Sequence, residues 1–235
     1  SCELMKKQTK NRKEKLANID FSKSYNPVEA IKILKNNTFA KFDETLEIAI
    51  NLKINSEKTD QNIRGVINLP KGSGKSIRVA VMAKGDKAKQ ALAAGADIVG
   101  DEDLVQQVSS GQINFDLLIA SPDMMPVIGK IGKILGPKGL MPNPKLGTVT
   151  QDVSTAVKNA KSGQVQYKND KAGIVHAGIG KLNFNEEDLL ENIKAFYNSI
   201  HKNKPDSIKG SFIKKVTIAS TMGFGLEVDV GSLHQ

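Results

Sequence analysis

Between residues 77 and 163, short apolar runs alternate with helical stretches, and few folds accept that order. "IRVAVMA" (77–83) reads as a buried strand, and "DKAKQALAAG" (86–95) as a helix opening on an acid and stopping at Gly95. "ADIVG" is a short strand, and "DEDLVQQVSSG" a helix with acids in its first turn, where they complement the helix dipole. A strand, "FDLLIA", follows, then a helix from about Pro122 and another, "VSTAVKNAKSG", ending near Gly163. Strands that alternate with helices of this length form βαβ units and an open, mostly parallel sheet. The stretch 73–163 is therefore expected to be a Rossmann-like three-layer α/β domain.

The flanks follow another rule. In "TLEIAINLK" Leu46, Ile48, Ile50 and Leu52 alternate, as in an antiparallel strand with one wet side. Beyond Gly163 come strand-like "QVQYKND" and "AGIVHAGIGKLNF", then a helix capped by Asn185 whose Leu189, Ile193, Phe196 and Ile200 share one face. Pro205 follows its end, and "FIKKVTIAST" and "LEVDV" complete the strands. Neither flank alone closes a core. Together, 1–72 plus 164–235 are expected to form one discontinuous α+β domain interrupted by 73–163.

The charge balance points to a polyanion. The 235 residues carry 34 Lys+Arg against 25 Asp+Glu, a net +9. The flanks hold six of that excess, densest at 6–15, around 168–171 and at 202–215. Nucleic acid or an acidic membrane surface would suit such a chain. No apolar run approaches the length of a membrane span, and the N-terminus lacks the apolar core of a signal peptide. The single cysteine, Cys2, excludes an internal disulfide framework and a cysteine-based zinc site. A cytoplasmic protein without membrane association is expected, and the four residues before Met5 are assigned no role.

No catalytic constellation stands in the sequence. "LPKGSGKS" (69–76) ends like a phosphate-binding loop, but Leu69 stands where its first glycine belongs, and "KSIRVAV" enters a strand where a helix is required. The run reads instead as a linker. No G-x-G-x-x-G follows the first strand of the central stretch. His176, His201 and His234 are scattered without metal-ligand spacing, and nothing assembles a nucleophile, a base and an oxyanion stabiliser. No enzyme, cofactor or metal is expected. A nucleotide-binding enzyme using the α/β stretch and a DNA-binding regulator remain as alternatives, the latter without a helix-turn-helix pattern.

"ILGPKGLMPNPKLGTV" (134–149) is the most unusual run. Pro137, Pro142 and Pro144 interleave with Gly136, Gly139 and Gly147, two lysines are added, and no acid occurs. Proline fixes φ and lacks a donor while glycine frees φ, so the run must be a partly stiffened cationic loop.

In order along the chain stand "AKFDETLE" (40–47), "TDQNIRG" (59–65), "LPKGSGK" (69–75), "GPKGLMPNPKLGTV" (136–149), "NAKSGQVQYKNDKAGIVHAGIGK" (159–181) and "STMGFG" (220–225). The set resembles the ribosomal protein L-one family, from about Met5 to Val230. The resemblance implies an RNA-binding domain built from both chain ends and an inserted Rossmann-like domain. It also implies binding to folded large-subunit rRNA at the mobile stalk, help for deacylated tRNA leaving the exit site, and repression of the protein's own operon mRNA. The protein would be a monomer when free and ribosome-associated in the cytoplasm, with no enzymatic activity. Carried over by position, the RNA surface comprises Lys41, Phe42, Thr45 and Glu47. Lys168 and Lys171 would act from a neighbouring strand, with Ser211 and the Thr221-Met222-Gly223 triplet completing the patch. Lys138, Asn143 and Lys145 of the proline-glycine loop, placed by the resemblance at the cleft between domains, would make secondary RNA or interdomain contacts. Lysines neutralise phosphates, hydroxyls and a carboxylate bond 2′-hydroxyls, and Phe42 or Met222 packs on ribose or base. Phe224 departs from the small residue or proline common after that triplet, so the turn is expected either to be perturbed or to pack the ring away. With 5% aromatics and no Trp, folded RNA is a better partner than stacked single strands.

Overall fold

A computed structural model describes residues 16, 17 and 19–233; the basic run 6–15 and His234 lie outside them. The protein is mixed α/β and divides into two compact units, one formed by 63–168 and the other by the two flanks.

In the flank unit, β1 (Thr45–Leu52) lies at the centre of a four-stranded antiparallel sheet. Its neighbours are β7 (Ile174–Lys181) and β8 (Ile213–Ser220), and β9 (Gly225–Val228) extends β8. The alternation predicted for β1 is realised: Leu46, Ile48, Ile50 and Leu52 are buried, and Glu47 is exposed. Among the described residues, two helices pack on the unit, α1 (Pro27–Asn36) and α7 (Glu186–Lys202). In α1, Asn26 Oδ1 accepts the Val28 amide at 3.0 Å and Pro27 supplies a preset φ at the first turn. Helix α7 buries Leu189, Ile193, Phe196 and Ile200, each stabilising by about 1.5–3 kcal/mol relative to exposure. Asn192, fully buried, donates its amide to the Ile179 carbonyl at 2.8 Å and so ties α7 to β7.

In the central unit, β3 (Val79–Met82) pairs in parallel with β4 (Ile98–Gly100) and β5 (Leu117–Ala120), in the order β4-β3-β5. Ala80, Met82 and Leu118 pack on one face with Leu104 and Val108 of α3 (Glu102–Ser109) and Ile128 of α4 (Met125–Lys130). Val79, Val81 and Ile119 pack on the other with Ala91 of α2 (Asp86–Ala93) and Val153, Val157 and Ala160 of α6 (Val153–Lys161). A short helix, α5 (Gly132–Leu135), leads into the proline-glycine loop. Asp97 clamps this unit: its Oδ2 accepts the Lys161 ammonium at 2.6 Å and the Val79 amide at 2.7 Å.

An antiparallel ribbon of β2 (Arg64–Asn68) and β6 (Gln164–Lys168) also belongs to the central unit. The sequence reading draws its boundaries at 72/73 and 163/164; the folded chain divides at 62/63 and 168/169, and the ribbon is the difference. At one end of the ribbon, still within the central unit, Gly72 and Gly163 touch. Gly163, at φ +100°, has no room for a side chain, because a Cβ there would sit 2.6 Å from Gly72 Cα. Downstream, Gly74, Lys75 and Ser76 run through a loop directly toward β3, with no helix opening after the lysine.

Candidate nucleic-acid interface

The start of β1 and the turn after β8 are bonded to each other. The Thr45 amide donates to Thr221 Oγ1 at 2.9 Å, and that hydroxyl lies 3.3 Å from the Thr45 carbonyl. One residue on, the Met222 amide donates to Glu44 Oε1 at 2.7 Å. Glu44 has no solvent exposure, and its Oε2 has no hydrogen-bond partner. Burying a carboxyl is costly unless it is hydrogen-bonded, and the Met222 amide supplies one such bond. The turn itself closes through the Gly223 amide, which donates to the Ser220 carbonyl at 3.1 Å. A Cβ at Gly223 would fall 2.0 Å from Ser220 Oγ, so a side chain there would need the serine hydroxyl to turn away.

This clamp decides which side chains face outward. Phe42 is 58% exposed and Met222 57%, which settles Phe42 as a surface aromatic and not a core one. Phe224 goes the other way: it is buried and meets Phe21 and Phe39 edge-on, with ring centroids 5.7 and 6.4 Å away. Of the two outcomes expected for it, the ring packs away. Lys41 and Glu47 are exposed. Thr45 is buried and not presented; its Oγ1 accepts the Lys181 ammonium at 3.2 Å. It is a support.

The outer face of the sheet continues this surface. Glu47 is opposite Gly178 and Ala219, and Ala49 is opposite His176 and Thr217. These mostly small side chains leave a shallow hollow of about 200 Å³ lined by Glu47, Ala49, His176, Thr217 and Ala219. Beside His176 the turn before β7 is ordered by Asp170, whose Oδ1 accepts the Ile174 and Ala172 amides, both at 2.8 Å. The Ile174 amide foremost, then Ala172 and His176, hold this carboxyl below the ordinary aspartate range. Lys171 is exposed in that turn. Ser211 is exposed just before β8, its hydroxyl 3.3 Å from the Ile213 carbonyl.

Lys168 requires a correction. It stands at the end of β6, which pairs with β2, whereas the neighbours of β1 are β7 and β8. The reason is Asn169 and Asp170, which break the strand, so the segment 164–181 makes two strands in two units. The proline-glycine loop is hydrogen-bonded within itself. Asn143 Oδ1 accepts the Lys145 amide at 2.8 Å, and Thr148 Oγ1 accepts the Asn143 amide at 2.8 Å. Gly147 takes the left-handed φ of +68°, and Val149 bridges to Ala120 at the end of β5. Lys138 and Lys145 are exposed on this loop.

Glu44 is the residue the sequence reading missed. Stepping the β1 alternation back from Leu46 by two places puts Glu44 on the inner side, and an acid in an apolar stripe is the signal that marks it.

The model of the ribosomal protein L1p/L10e family matches residues 34–224. The chain belongs to that family. It is also similar to the large ribosomal subunit protein uL1 of Nitrosomonas europaea, at 55% identity over 225 residues, 96% of this chain and 98% of that protein. The L1p/L10e match contains every residue of the clamp, from Lys41 through Phe224, and the whole proline-glycine loop. L1p/L10e is a family of ribosomal proteins and not of enzymes.

Proposed function

We propose that this protein is a constituent of the large ribosomal subunit that binds folded rRNA of the mobile stalk through the flank unit. The clamp carries the reading. Two bonded backbone segments present Phe42 and Met222, two of the exposed large apolar side chains, beside an outer sheet face of small residues. A ribose and its base pack on such side chains, and a face without bulk admits an RNA backbone. Lys41, Lys171 and Ser211 offer phosphate and ribose contacts around it, and Lys168 offers another from the central unit. Glu47 is an acceptor for 2′-hydroxyls. In this reading the central Rossmann-like unit is an insertion into the RNA-binding domain. Its loop residues Lys138, Asn143 and Lys145 make weaker secondary contacts. The stalk carrying the protein helps deacylated tRNA leave the exit site, and the same RNA surface represses translation of the protein's own mRNA. The free protein is a monomer, works on cytoplasmic ribosomes, and needs neither cofactor nor catalysis.

Competition at fixed salt between a folded large-subunit rRNA fragment and random DNA duplex tests the proposal. A preference for the rRNA of at least about 10³ is expected for specific recognition. Equal affinity for both would leave only general electrostatics and overturn it. Cross-linking in cell lysate, followed by sequencing of the attached RNA, then asks whether rRNA, tRNA and the operon message are all recovered.

A further inference from the structure

One aromatic side chain of the flank unit has no part in the rRNA reading. Phe21 is 51% exposed, and the turn that carries it is fixed on both sides. Asp20 Oδ1 accepts the Ser22 amide at 2.9 Å and the Ser22 hydroxyl at 2.6 Å. The Tyr25 hydroxyl donates to the Asp20 carbonyl at 2.9 Å and accepts the Asp20 amide at 3.2 Å. Tyr25 is in turn fixed to the edge of β9, where it bridges Val228 in parallel. Its amide donates to the Glu227 carbonyl and its carbonyl accepts the Asp229 amide, both at 2.9 Å. Stepping back from that bridge by the same number of residues on both segments leads from Tyr25 to Phe21 and from Val228 to Phe224. There the two rings meet edge-on, with centroids 5.7 Å apart.

The fold gives this ring little reason to be aromatic. A turn closed by Asp20 and Ser22 makes no demand on the side chain between them, and the half of the ring left in water gains nothing from burial. Its company is more informative. The exposed large apolar side chains among the described residues are Phe21, Phe42, Leu92 and Met222, and all but Leu92 belong to the flank unit. Phe224 links them. It stands two residues beyond Met222, a span of at most about 7 Å of chain. Its ring touches Phe21 on one contact and Phe39, three residues before Phe42, on another. Exposed apolar side chains gathered in this way mark a contact surface. The charge next to the ring is no obstacle to an anion, because Asp20 is engaged in the turn and Lys23 is close enough to offset it.

We infer that Phe21 is a third apolar contact of the RNA surface, and that one unpaired base of the bound RNA lies on its ring. The inference rests on the rRNA reading and extends it. Folded RNA presents unstacked bases in its loops and bulges, and a fixed aromatic ring is the surface that takes them. The turn holds the ring in place before RNA arrives, so little side-chain freedom is lost on contact. A single ring of this kind takes one base and leaves the rest of the recognition to the clamp.

Fluorescence and affinity measurements on the full chain test this. The chain has no Trp, so Phe21→Trp places a single indole at the site, and Leu92→Trp places one on an exposed apolar position of the central unit. Titration with the folded large-subunit rRNA fragment should quench the indole at 21 saturably and leave the one at 92 unquenched. Phe21→Ala should weaken binding of that fragment about tenfold, with the slope of log affinity against log salt unchanged. Phe21→Tyr and Phe21→Trp should keep wild-type affinity. Phe21→Leu, which retains an apolar contact for Phe224, should fall most of the way to alanine. Wild-type affinity in Phe21→Leu together with a loss in Phe21→Ala would reduce Phe21 to a prop for Phe224 and overturn the inference. So would wild-type affinity in Phe21→Ala, or equal quenching at positions 21 and 92. The two readings fail separately. If the wild-type protein does not prefer the rRNA over random duplex, the proposed function falls and this inference with it. If that preference stands and the indole at 21 is unmoved, this inference alone falls.

Discussion

The carboxyl of Glu44 holds the Met222 amide at 2.7 Å from a position without solvent exposure, so a buried side chain sets a surface loop from beneath. Glu44→Ala leaves that amide without its acceptor and is expected to destabilise the protein by about 1–3 kcal/mol in urea denaturation. Glu44→Gln keeps an acceptor oxygen and should lose less. Both should weaken rRNA binding in that order. Wild-type affinity in a folded Glu44→Ala protein would show that the loop's conformation does not matter to the RNA.

Thr221→Val keeps the shape of the side chain and removes the hydroxyl bonded to Thr45. Sequence alone suggests little change in stability, but the clamp changes that expectation. A loss of about 0.5–1.5 kcal/mol in stability should accompany a fall of about tenfold or more in rRNA affinity. Thr221→Ser, which keeps the hydroxyl, should restore most of both. Since no charge is altered, the slope of log affinity against log salt should stay put; a flatter slope would contradict this role.

Lys168→Ala gives the opposite signature. It removes a cation and no shape-specific contact, so it should lower that slope by about one phosphate contact and weaken specific and random RNA alike. Isothermal titration at several salt concentrations measures it. An unchanged slope would remove Lys168 from the RNA surface.

Asp97 makes the central unit sensitive to acid. The Lys161 ammonium foremost, then the Val79 amide, lower its pKa below the ordinary aspartate value. A carboxyl depressed in the folded state contributes stability above its unfolded pKa and loses it as pH falls through the folded one. Asp97→Asn should therefore lower Tm at pH 7, and the gap from wild type should close on acidification below the usual aspartate range. A gap of constant size at every pH would assign the effect to packing. Because the pair is about a third exposed, the effect is expected to be modest.

The parts of the fold legible in the sequence are those where one periodicity runs long enough to be distinct. The β1 alternation and the apolar face of α7 are of this kind, and so are the buried runs of β3 and β5. The sequence reading places no element over 27–36, although Asn26 and Pro27 carry a helix-start signature. Nor does it place one over 64–68, where Arg64–Asn68 holds too few apolar residues for a pattern and depends on β6 for its pairing. The candidate site is legible in its exposed members, Phe42 and Met222, through motif resemblance. Glu44 is not, because an acid can be buried there only once the loop 178 residues later brings it an amide. The fate of Phe224 likewise depends on Phe21 and Phe39, which no local pattern links to it.

The contact between Gly72 and Gly163 has a consequence for the chain's history. A segment that leaves and re-enters at a single point, glycine against glycine, behaves like a loop tied off at its neck. Whatever is strung between the two glycines can grow, shrink or be exchanged for another closed module, and the backbone on either side of the neck keeps its path. Part of the cost of such freedom falls on the β2–β6 ribbon, which the proline-glycine loop meets, and part on the neck, where Gly163 admits no other residue without pushing the two strands of polypeptide apart.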